Sequence, residues 1–371
     1  MKILFVTNLC ATYRIGIFEL LDKMYDIEFL FYLPEKANYY DGRPLMGNFR
    51  GEYIWGFYIL PKIKINPALI YKLIFGNYTH IIINFVGRFS LLATFFIAKL
   101  RRKKIILWTL MWHHHRTIFY KCAFLFIKYM YHKSDAIVAG GLHVKNFLIS
   151  QGVDERKITI AWQAQDNKKF QINVTQEERN KRKLDLGIHT ARLILFVGRL
   201  IEEKGVLLLL EAFRSLGDKE VSLLLIGRGP LENEFKKFML SAKNIFYIPY
   251  VPNEQLYLYY SLAEIFVLPS ITSAQFKEPW GFVVNEAMCQ GCAVIVSDAV
   301  GAGAGGLIRH RENGYIVREN DPDALKDALG LLLGDETLLA QLRHNAKQTI
   351  KKWNYEEMAK GFSAALAITN R

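Results

Sequence analysis

The sequence contains few cysteines, four in 371 residues: Cys10, Cys122, Cys289 and Cys292. This low number argues against a small disulfide-rich secreted fold and fits a reducing cytoplasm. Cys289 and Cys292 form a C-x-x-C, but no second pair accompanies it and it lies in the apolar run AMCQGCAVIV. We therefore interpret both thiols as buried small side chains, with a zinc or redox site as the weaker alternative.

Long hydrophobic runs are also missing. The longest apolar stretch, Phe89–Leu100, is too short to span a bilayer and is followed by four basic residues. Residues 1–6 (MKILFV) lead directly into polar Thr7 and Asn8, which is typical of a buried strand and not of a signal peptide. We expect no transmembrane helix and a cytoplasmic location.

Acidic residues are scarce in the first half of the chain. Residues 1–170 contain 24 Lys and Arg but 11 Asp and Glu, whereas residues 171–371 contain 24 of each, so the first half carries the whole excess of +13. Such asymmetry suggests attraction to the phosphates of a membrane or of nucleic acid, or a solubility feature. Since no nucleic-acid-binding module is recognised, we expect an anionic membrane surface and no nucleic acid as partner.

Residues 116–133 (RTIFYKCAFLFIKYMYHK) alternate aromatic side chains with Lys and Arg. At helical spacing this pattern is typical of an interfacial helix, with its cations at lipid phosphates and its rings at the headgroup level. A core helix buried on two sides would look similar. The interfacial interpretation places the protein peripherally on the inner face of the cell membrane.

Apolar strands alternate with helical segments along the whole chain, from KILFVT to AVIVSD. Nearly continuous apolar strands are typical of parallel sheets that are covered on both faces. Residues 171–190 lose this pattern and become charged. We therefore predict an α/β protein of two Rossmann-like doubly wound domains facing a cleft, covering residues 1–170 and 171–350, with a C-terminal helix at 351–371 that packs on the first domain.

Charged residues follow several strands of the second half. In such sheets, ligands bind at the carboxyl ends of the strands. Arg199 and Lys204 follow the strand that ends in LFVG, and two cations at a strand end can stabilise a leaving diphosphate. Glu278 and Glu286 flank the segment PWGFVV, which is expected to begin a helix whose N-terminus can hold a phosphate. The E-x7-E spacing alone does not indicate a site, because such pairs occur by chance. The position of the two glutamates after a strand ending in Pro-Ser does indicate a ligand site.

Residues 192–330 resemble the donor-binding half of glycosyltransferase family 4, the group 1 glycosyltransferases. Five segments carry the resemblance, in the family's order: FVGRLIEEKGVLLLLEAF, LLLIGRGPLENEF, YYSLAEIFVLPS, EPWGFVVNEAMCQGCAVIVSD and NGYIVRENDPDAL. The resemblance implies the GT-B fold, a retaining reaction, a second domain that binds the nucleotide sugar and a first domain that binds the acceptor. It implies that Arg199 and Lys204 contact the donor diphosphate, Glu278 the transferred sugar and Glu286 the ribose.

The resemblance also implies further donor contacts from the backbone. These would come from Gly198, from Gly281, Phe282 and Val283 at the phosphates, and from Tyr250 and Val251 at the base. The first loop, TNLCATYRIGIF, is similar to a Tyr-Arg version found in a subgroup. By this resemblance its one glycine, Gly16, would also contact the donor. His113, the first of three consecutive histidines, is the candidate for the active-site histidine of the family.

Two motifs suggest other chemistry. Residues 301–306 (GAGAGG) match the dinucleotide-binding G-x-G-x-x-G, and Asp321-Pro-Asp323 matches the D-x-D of metal-dependent transferases. No helical pattern of useful length follows the first motif, and the second is better interpreted as a helix cap with proline in the first turn. Three adjacent histidines cannot converge on one ion as i, i+4 pairs do. We therefore predict no metal, and because the first motif is not followed by a helix, we predict no cofactor.

The resulting hypothesis is a hexosyl-type glycosyltransferase of cell-envelope polysaccharide biosynthesis. It would move a sugar from a UDP- or GDP-linked donor to a lipid-linked or glycan acceptor at the membrane. A nucleotide-sugar epimerase of the same architecture and a non-catalytic relative of the fold are the alternatives.

Overall fold

A computed structural model describes residues 1–32, 46–60, 63–84, 89–113 and 118–370. The chain divides into two compact units. The first comprises Met1–Trp112, Ile118–Gln165 and Tyr355–Arg371, and the second comprises Asp166–Asn354 together with His113.

The first unit is an α/β layer structure, as its alternating apolar segments predict. Its strands are β1 (Lys2–Thr7), β2 (Asp26–Phe31), β3 (Gly51–Tyr53), β4 (Phe57–Leu60), β5 (Ile63–Ile65), β6 (His80–Asn84), β7 (Lys104–Thr109), β8 (Ala136–Ala139) and β9 (Ile158–Ile160). Its helices are α1 (Ile15–Met24), α2 (Pro67–Phe75), α3 (Phe89–Leu100), α4 (Ile118–Lys133), α5 (Leu142–Ser150) and, at the C-terminus of the chain, α14 (Tyr355–Thr369).

Seven of these strands form one parallel sheet in the order β3-β2-β1-β6-β7-β8-β9, while β4 and β5 form a separate antiparallel hairpin. One face packs against α1 and α14, where Phe5, Phe18 and Phe362 meet. The other face packs against α2, α3, α4 and α5. The order of the strands reverses between β1 and β6, which is where ligands bind in sheets of this type.

The second unit repeats this architecture. Its strands are β10 (Arg192–Val197), β11 (Val221–Ile226), β12 (Ile245–Ile248), β13 (Ile265–Leu268), β14 (Ala293–Ser297) and β15 (Tyr315–Val317). Its helices are α6 (Gln176–Asp185), α7 (Val206–Leu216), α8 (Glu232–Ser241), α9 (Leu256–Leu262), α10 (Phe282–Gln290), α11 (Gly301–Ala304), α12 (Pro322–Gly334) and α13 (Glu336–Lys351).

The six strands of the second unit form a parallel sheet in the order β12-β11-β10-β13-β14-β15. Strand order reverses between β10 and β13, so the loops that follow these two strands lie side by side at the carboxyl edge. The parallel sheets confirm the predicted α/β, doubly wound class for both units. Residues of β10, β11, β13 and β14 form the buried centre of the core.

The boundaries between the units differ by a few residues from the expected ones at 170 and 350. Phe170 is buried in the core of the second unit, and Asn167 donates hydrogen bonds to the carbonyls of Ile350 (2.9 Å) and Trp353 (2.8 Å). The second unit therefore begins at Asp166 and extends to Asn354. The final helix begins at Tyr355 and packs on α1, β8 and β9 of the first unit.

Candidate active site of the second unit

The loops after β10 and β13 bring together Lys204 and Glu278, which the sequence separates widely. Lys204 ends a short 3-10 turn after β10, and its ammonium forms an ion pair with the carboxylate of Glu278. Their side chains are only 13% and 8% exposed. The hydroxyl of Ser270 also donates to Glu278, at 3.4 Å, and the Lys204 ammonium lies 5.8 Å from the ring centroid of Phe276. The two candidate residues thus form one charged centre at the carboxyl edge of the sheet.

Gly281 links this centre to the start of α10. It has a left-handed conformation with φ of +89°, which a side chain would strain, and a Cβ there would come within 2.8 Å of Leu268. Helix α10 then begins at Phe282, as expected from the sequence, with Gly281 as its N-cap residue. The first turn, with half-buried Phe282 and Val283, directs backbone N–H groups and the positive end of the helix dipole toward the carboxyl edge.

Glu286 lies one turn further along α10 and is buried. Its carboxylate accepts a 2.7 Å hydrogen bond from the hydroxyl of Tyr260 on α9. Burial raises the pKa of Glu286 from 4.5 to about 7, and the hydrogen bond from Tyr260 partly opposes this rise. A hydroxyl group that donates a hydrogen bond to this carboxylate would favour its ionised form and lower its pKa.

The remaining donor-site candidates of this unit follow β10 and β12. Gly198 is half-buried and Arg199 is exposed, both directly after β10. Tyr250 is 61% exposed and Val251 is buried, both after β12. The guanidinium of Arg228, which follows β11, lies 5.6 Å from the ring centroid of Tyr250. These residues all belong to loops at the same carboxyl edge.

The loop between β13 and α10 is fastened by hydrogen bonds. Thr272 donates to the carboxylate of Glu319 through its N–H and its hydroxyl, the latter at 2.8 Å, and the N–H of Glu319 donates to Asp298 at 2.8 Å. At its end, the N–H of Gly301 donates to the carbonyl of Glu278 at 3.1 Å. The backbone that carries Glu278 is therefore held from both sides.

The two candidates from the first half have different surroundings. Gly16 lies within α1, where a Cβ would overlap the ring of Tyr355 on α14; Tyr355 in turn donates a 2.9 Å hydrogen bond to the carbonyl of Tyr13. Close packing of two helices accounts for glycine at this position. His113 is half-buried and groups with the second unit, while His114 and His115 lie outside the described residues.

The alternative motifs have structural explanations. The segment 301–306 contains the short helix α11, whose Ala302 N–H donates to the carbonyl of Trp280 at 2.8 Å. Asp321 caps α12 by accepting from the N–H of Ala324 at 2.9 Å, with Pro322 in the first turn, which confirms the predicted helix cap.

Cys289 and Cys292 are free and buried, as expected. Among the described residues, no three His, Cys, Asp or Glu side chains are grouped to hold a metal ion.

Three contributors to this site were not found from the sequence. Tyr260 bonds Glu286, Ser270 bonds Glu278, and Glu319 fastens the loop between them. Tyr260 sits in the run LYLYYSL, where an aromatic residue is expected in the core whatever its hydroxyl does. For Ser270 and Glu319, the one signal available in the sequence was a polar residue just after a predicted strand.

Comparison with known proteins shows similarity to glycosyltransferases. The family described as Glycosyl transferases group 1 matches residues 177–352. An uncharacterized glycosyltransferase of Methanocaldococcus jannaschii is 28% identical over 212 residues, covering 56% of this chain and 53% of that protein. A capsular polysaccharide biosynthesis glycosyltransferase of Staphylococcus aureus is 26% identical over 226 residues, or 58% of this chain and 56% of that protein. The chain thus spans little more than half the length of these relatives.

Solved structures extend the likeness of fold to the whole chain. HepE of Anabaena in complex with UDP superposes with a TM-score of 0.76 at 15% identity, covering 99% of this chain and 100% of that one. Sucrose-phosphate synthase of Thermosynechococcus elongatus gives 0.72 at 17% identity, with 99% and 98% covered. At such identities the likeness establishes the fold, which is the GT-B fold of two Rossmann-like units. Over residues 177–352, the chain is therefore similar to the group 1 glycosyl transferase family.

Proposed function

We propose that this protein is a retaining glycosyltransferase that transfers a sugar from a nucleoside-diphosphate donor to a lipid-linked or glycan acceptor at a membrane surface. The observation that carries the proposal is the Lys204–Glu278 ion pair beside the N-terminus of α10, at the strand-order reversal of the second sheet. This arrangement offers positive charge to a diphosphate and a carboxylate to a sugar hydroxyl within one small region.

The chemistry follows from where charge develops. When the bond between the sugar and the diphosphate breaks, negative charge builds on the leaving phosphate oxygen, and fixed positive groups lower the energy of that state. Arg199, Lys204 and the first turn of α10 would supply those groups. The acceptor hydroxyl would attack from the face that the diphosphate leaves and pass its proton to the leaving phosphate oxygen. This retains the anomeric configuration and requires neither an enzymic nucleophile nor a metal.

Glu286 is assigned to the ribose of the donor. A ribose diol donates hydrogen bonds well to an ionised carboxylate, and Tyr260 holds the carboxyl group in place. Tyr250, which stands exposed after β12 beside Arg228, is assigned to the base. UDP and UDP-glucose are bound in the HepE structures, which favours a uridine nucleotide as the first ligand to test.

The first test is calorimetric titration of the full chain with UDP, GDP, ADP and dTDP, and then with the corresponding nucleotide sugars. We expect one nucleoside diphosphate to bind selectively and its affinity to fall at least tenfold in Arg199→Ala and Lys204→Ala. Lys219→Ala, which removes an exposed lysine of the same unit, is the matched control. If no nucleotide bound to the folded protein, the proposal would be abandoned.

Catalysis separates the proposed activity from its alternatives. With the selected nucleotide sugar and a membrane-lipid extract as acceptor, we expect labelled sugar to enter the lipid fraction while nucleoside diphosphate is released. An epimerase would instead interconvert the nucleotide sugar with no acceptor present, and a non-catalytic relative would bind it unchanged. Either result would contradict transfer.

The membrane part of the proposal rests on the first unit. No Asp or Glu occurs between Glu52 and Asp135, whereas 13 Lys and Arg do. Helices α2, α3 and α4, which cover one face of the sheet, carry exposed apolar side chains: Tyr71, Phe75, Phe96, Leu100, Leu125, Phe126 and Tyr129. An apolar surface rich in aromatic side chains and cations matches the interface of an anionic bilayer. Within the described part of the chain, no helix is long and apolar enough to cross a membrane.

Helix α4 has one buried face and one exposed face. Met130 and Tyr131 are buried against the sheet, whereas Leu125 and Phe126 are 73% and 56% exposed beside exposed Lys128. We expect the full chain to float with vesicles containing phosphatidylglycerol, and flotation to weaken with salt and in Leu125→Ser/Phe126→Ser. Leu184→Ser, at an equally exposed leucine of the second unit, should bind like the unaltered protein. Equal flotation of all three proteins would rule out this surface.

A further inference from the structure

The hairpin of β4 and β5 exposes several large apolar side chains. Trp55, which precedes β4, is 72% exposed, and three consecutive residues of β4 are also exposed: Phe57 (42%), Tyr58 (58%) and Ile59 (58%). Successive side chains of a strand point to opposite faces, so apolar groups are exposed on both faces of β4. The rings of Trp55 and Phe57 lie together, with their centroids 5.6 Å apart. Clustered apolar side chains of this size mark a surface that contacts another molecule.

A buried asparagine fastens the base of this hairpin. Asn66, which directly follows β5 and is 2% exposed, donates its side-chain amide to the carbonyls of Ile54 (3.2 Å) and Trp55 (3.1 Å). Its amide oxygen accepts from the hydroxyl of Ser90, near the start of α3, at 3.1 Å. A two-stranded hairpin alone is only marginally stable in water. The buried amide therefore joins both arms of the hairpin to the helix layer of the first unit.

Gly56 and Lys64 complete the attachment. A Cβ at Gly56 would overlap the side-chain amide of Asn66 and the carbonyl of Ile65, so glycine allows the two arms to close around that amide. The ammonium of Lys64 donates to the carbonyl of Tyr32, directly after β2, at 2.8 Å. The hairpin is therefore held beside the carboxyl ends of β2 and β3 while its aromatic side chains stay exposed.

The composition of the hairpin favours a lipid bilayer as the molecule that it contacts. The segment 55–65 (WGFYILPKIKI) contains no Asp, Glu, Asn or Gln, the acceptors that would bind the hydroxyl groups of a glycan. Its lysines, Lys62 and Lys64, belong to a residue type that is depleted in protein–protein interfaces. Trp and Tyr accompanied by Lys are instead typical of the boundary between a membrane and water. The absence of acidic residues between Glu52 and Asp135 provides charge complementarity to anionic lipids.

We propose that the β4–β5 hairpin inserts into the interfacial region of an anionic bilayer, with Trp55, Phe57 and Ile59 at the boundary with the acyl chains. This inference rests on the membrane part of the proposed function and adds a separate surface to it. Helix α4 contributes cations that salt screens, whereas the hairpin contributes apolar burial that salt does not screen. Because the hairpin stands at the carboxyl edge of the sheet, its insertion brings the ligand-binding edge to a lipid-linked acceptor.

Tryptophan fluorescence reports the insertion directly. Trp55 is exposed, whereas the other five tryptophans are buried or half-buried. The probe is a vesicle of phosphatidylglycerol and phosphatidylcholine in which the phosphatidylcholine carries bromine on the upper part of its acyl chains. We expect these vesicles to quench the fluorescence of the full chain, and Trp55→Phe, which keeps an apolar ring, to float equally but lose most of the quenching. Equal quenching in Trp55→Phe would overturn the proposal.

Flotation at high salt measures what the hairpin contributes to binding. At about 0.5 M salt, where the attraction of exposed cations is screened, we expect the partition coefficient of Trp55→Ser/Phe57→Ser to fall at least about tenfold, because two large apolar side chains no longer enter the bilayer. Ile172→Ser/Leu184→Ser, which changes two exposed apolar residues of the second unit, is the matched control and should float like the unaltered protein. Melting temperatures close to that of the unaltered protein show that the variants are folded.

The outcomes separate this inference from the proposed function. If Trp55→Ser/Phe57→Ser floats normally while Leu125→Ser/Phe126→Ser does not, the hairpin proposal fails and the membrane part of the function stands. If vesicles quench Trp55 but no nucleotide binds to the protein, the hairpin proposal stands and the transferase function fails. A dimer in sedimentation that Trp55→Ser/Phe57→Ser dissociates, with no change in flotation, would make the hairpin an interface between two copies and overturn the proposal.

Discussion

The ammonium of Lys204 and the carboxylate of Glu278 form an ion pair that is almost wholly buried, with 13% and 8% of the side chains exposed. The two residues come from loops after strands that are adjacent in the sheet but distant in sequence. Each partner fixes the other in place and neutralises its charge. In the proposed function, a diphosphate and a sugar hydroxyl would replace the interaction that the two groups make with each other.

Removing one partner of this pair should destabilise the second unit. Lys204→Ala leaves Glu278 as a buried charge without its cation, so we expect the free energy of unfolding to fall by about 3 kcal/mol. Lys204→Ala/Glu278→Gln should recover most of that loss, since no uncompensated charge remains. Urea unfolding of the single and double variants measures both values, and a double variant less stable than Lys204→Ala would contradict the reasoning.

In the same variants, turnover should not follow stability. Because Lys204 would stabilise charge that develops in the transition state, we expect kcat to fall about 10²- to 10³-fold in both Lys204→Ala and the double variant. The recovery of stability in the double variant would not restore activity. Near-normal turnover in either protein would remove Lys204 from the catalytic role.

The buried carboxyl of Glu286 should make stability depend on pH. Its pKa of about 7 in the folded protein exceeds the ordinary value of 4.5, so the folded state holds more protons between these values. The free energy of unfolding therefore falls as pH rises from 4.5 to about 7, and Glu286→Gln removes this slope. We expect the advantage of Glu286→Gln over the unaltered protein to grow by about 3 kcal/mol across the window.

Unfolding curves at several pH values measure this difference. Glu211→Gln, at an exposed glutamate of α7, is the control and should follow the unaltered protein at every pH. Parallel pH profiles for Glu286→Gln and the unaltered protein would show that the Glu286 carboxyl is not buried as described.

Gly16 should matter for packing and not for nucleotide binding. A Cβ at this position overlaps the ring of Tyr355, so Gly16→Ala forces α1 and α14 apart and should cost about 1–3 kcal/mol of stability. Gly16→Ala/Tyr355→Ala provides space and should recover part of the loss. Nucleoside-diphosphate affinity, measured well below the melting temperature, should stay unchanged, and a large loss of affinity in stable protein would place Gly16 at the donor.

The C-x-x-C thiols should be inert in the native protein. Burial raises the pKa of Cys289 well above its usual range and that of Cys292 to about 12, so neither forms the reactive thiolate near neutral pH. We expect peptide-resolved mass spectrometry to show both unmodified by iodoacetamide in native protein and fully modified in urea. Rapid native alkylation, or loss of turnover in Cys289→Ser/Cys292→Ser, would revive the redox interpretation.

The sequence by itself determined the local structure and the class of the protein. The apolar run of β10 predicts a buried parallel strand, and Asp321-Pro322 predicts the start of α12, because both depend on neighbouring residues alone. The order of the motifs after the strands of the second half likewise indicated the donor-binding half of a glycosyltransferase. Such features need no knowledge of distant contacts.

Only the tertiary structure decided which residues meet. The pairing of Lys204 with Glu278, the hydrogen bond of Tyr260 with Glu286 and the contact of Gly16 with Tyr355 join segments that no spacing relates. The burial of Arg14 is equally invisible in the sequence, because arginine is usually exposed to water. These properties depend on burial and on the neighbours across the sheet, and both arise only when the strands assemble in their order.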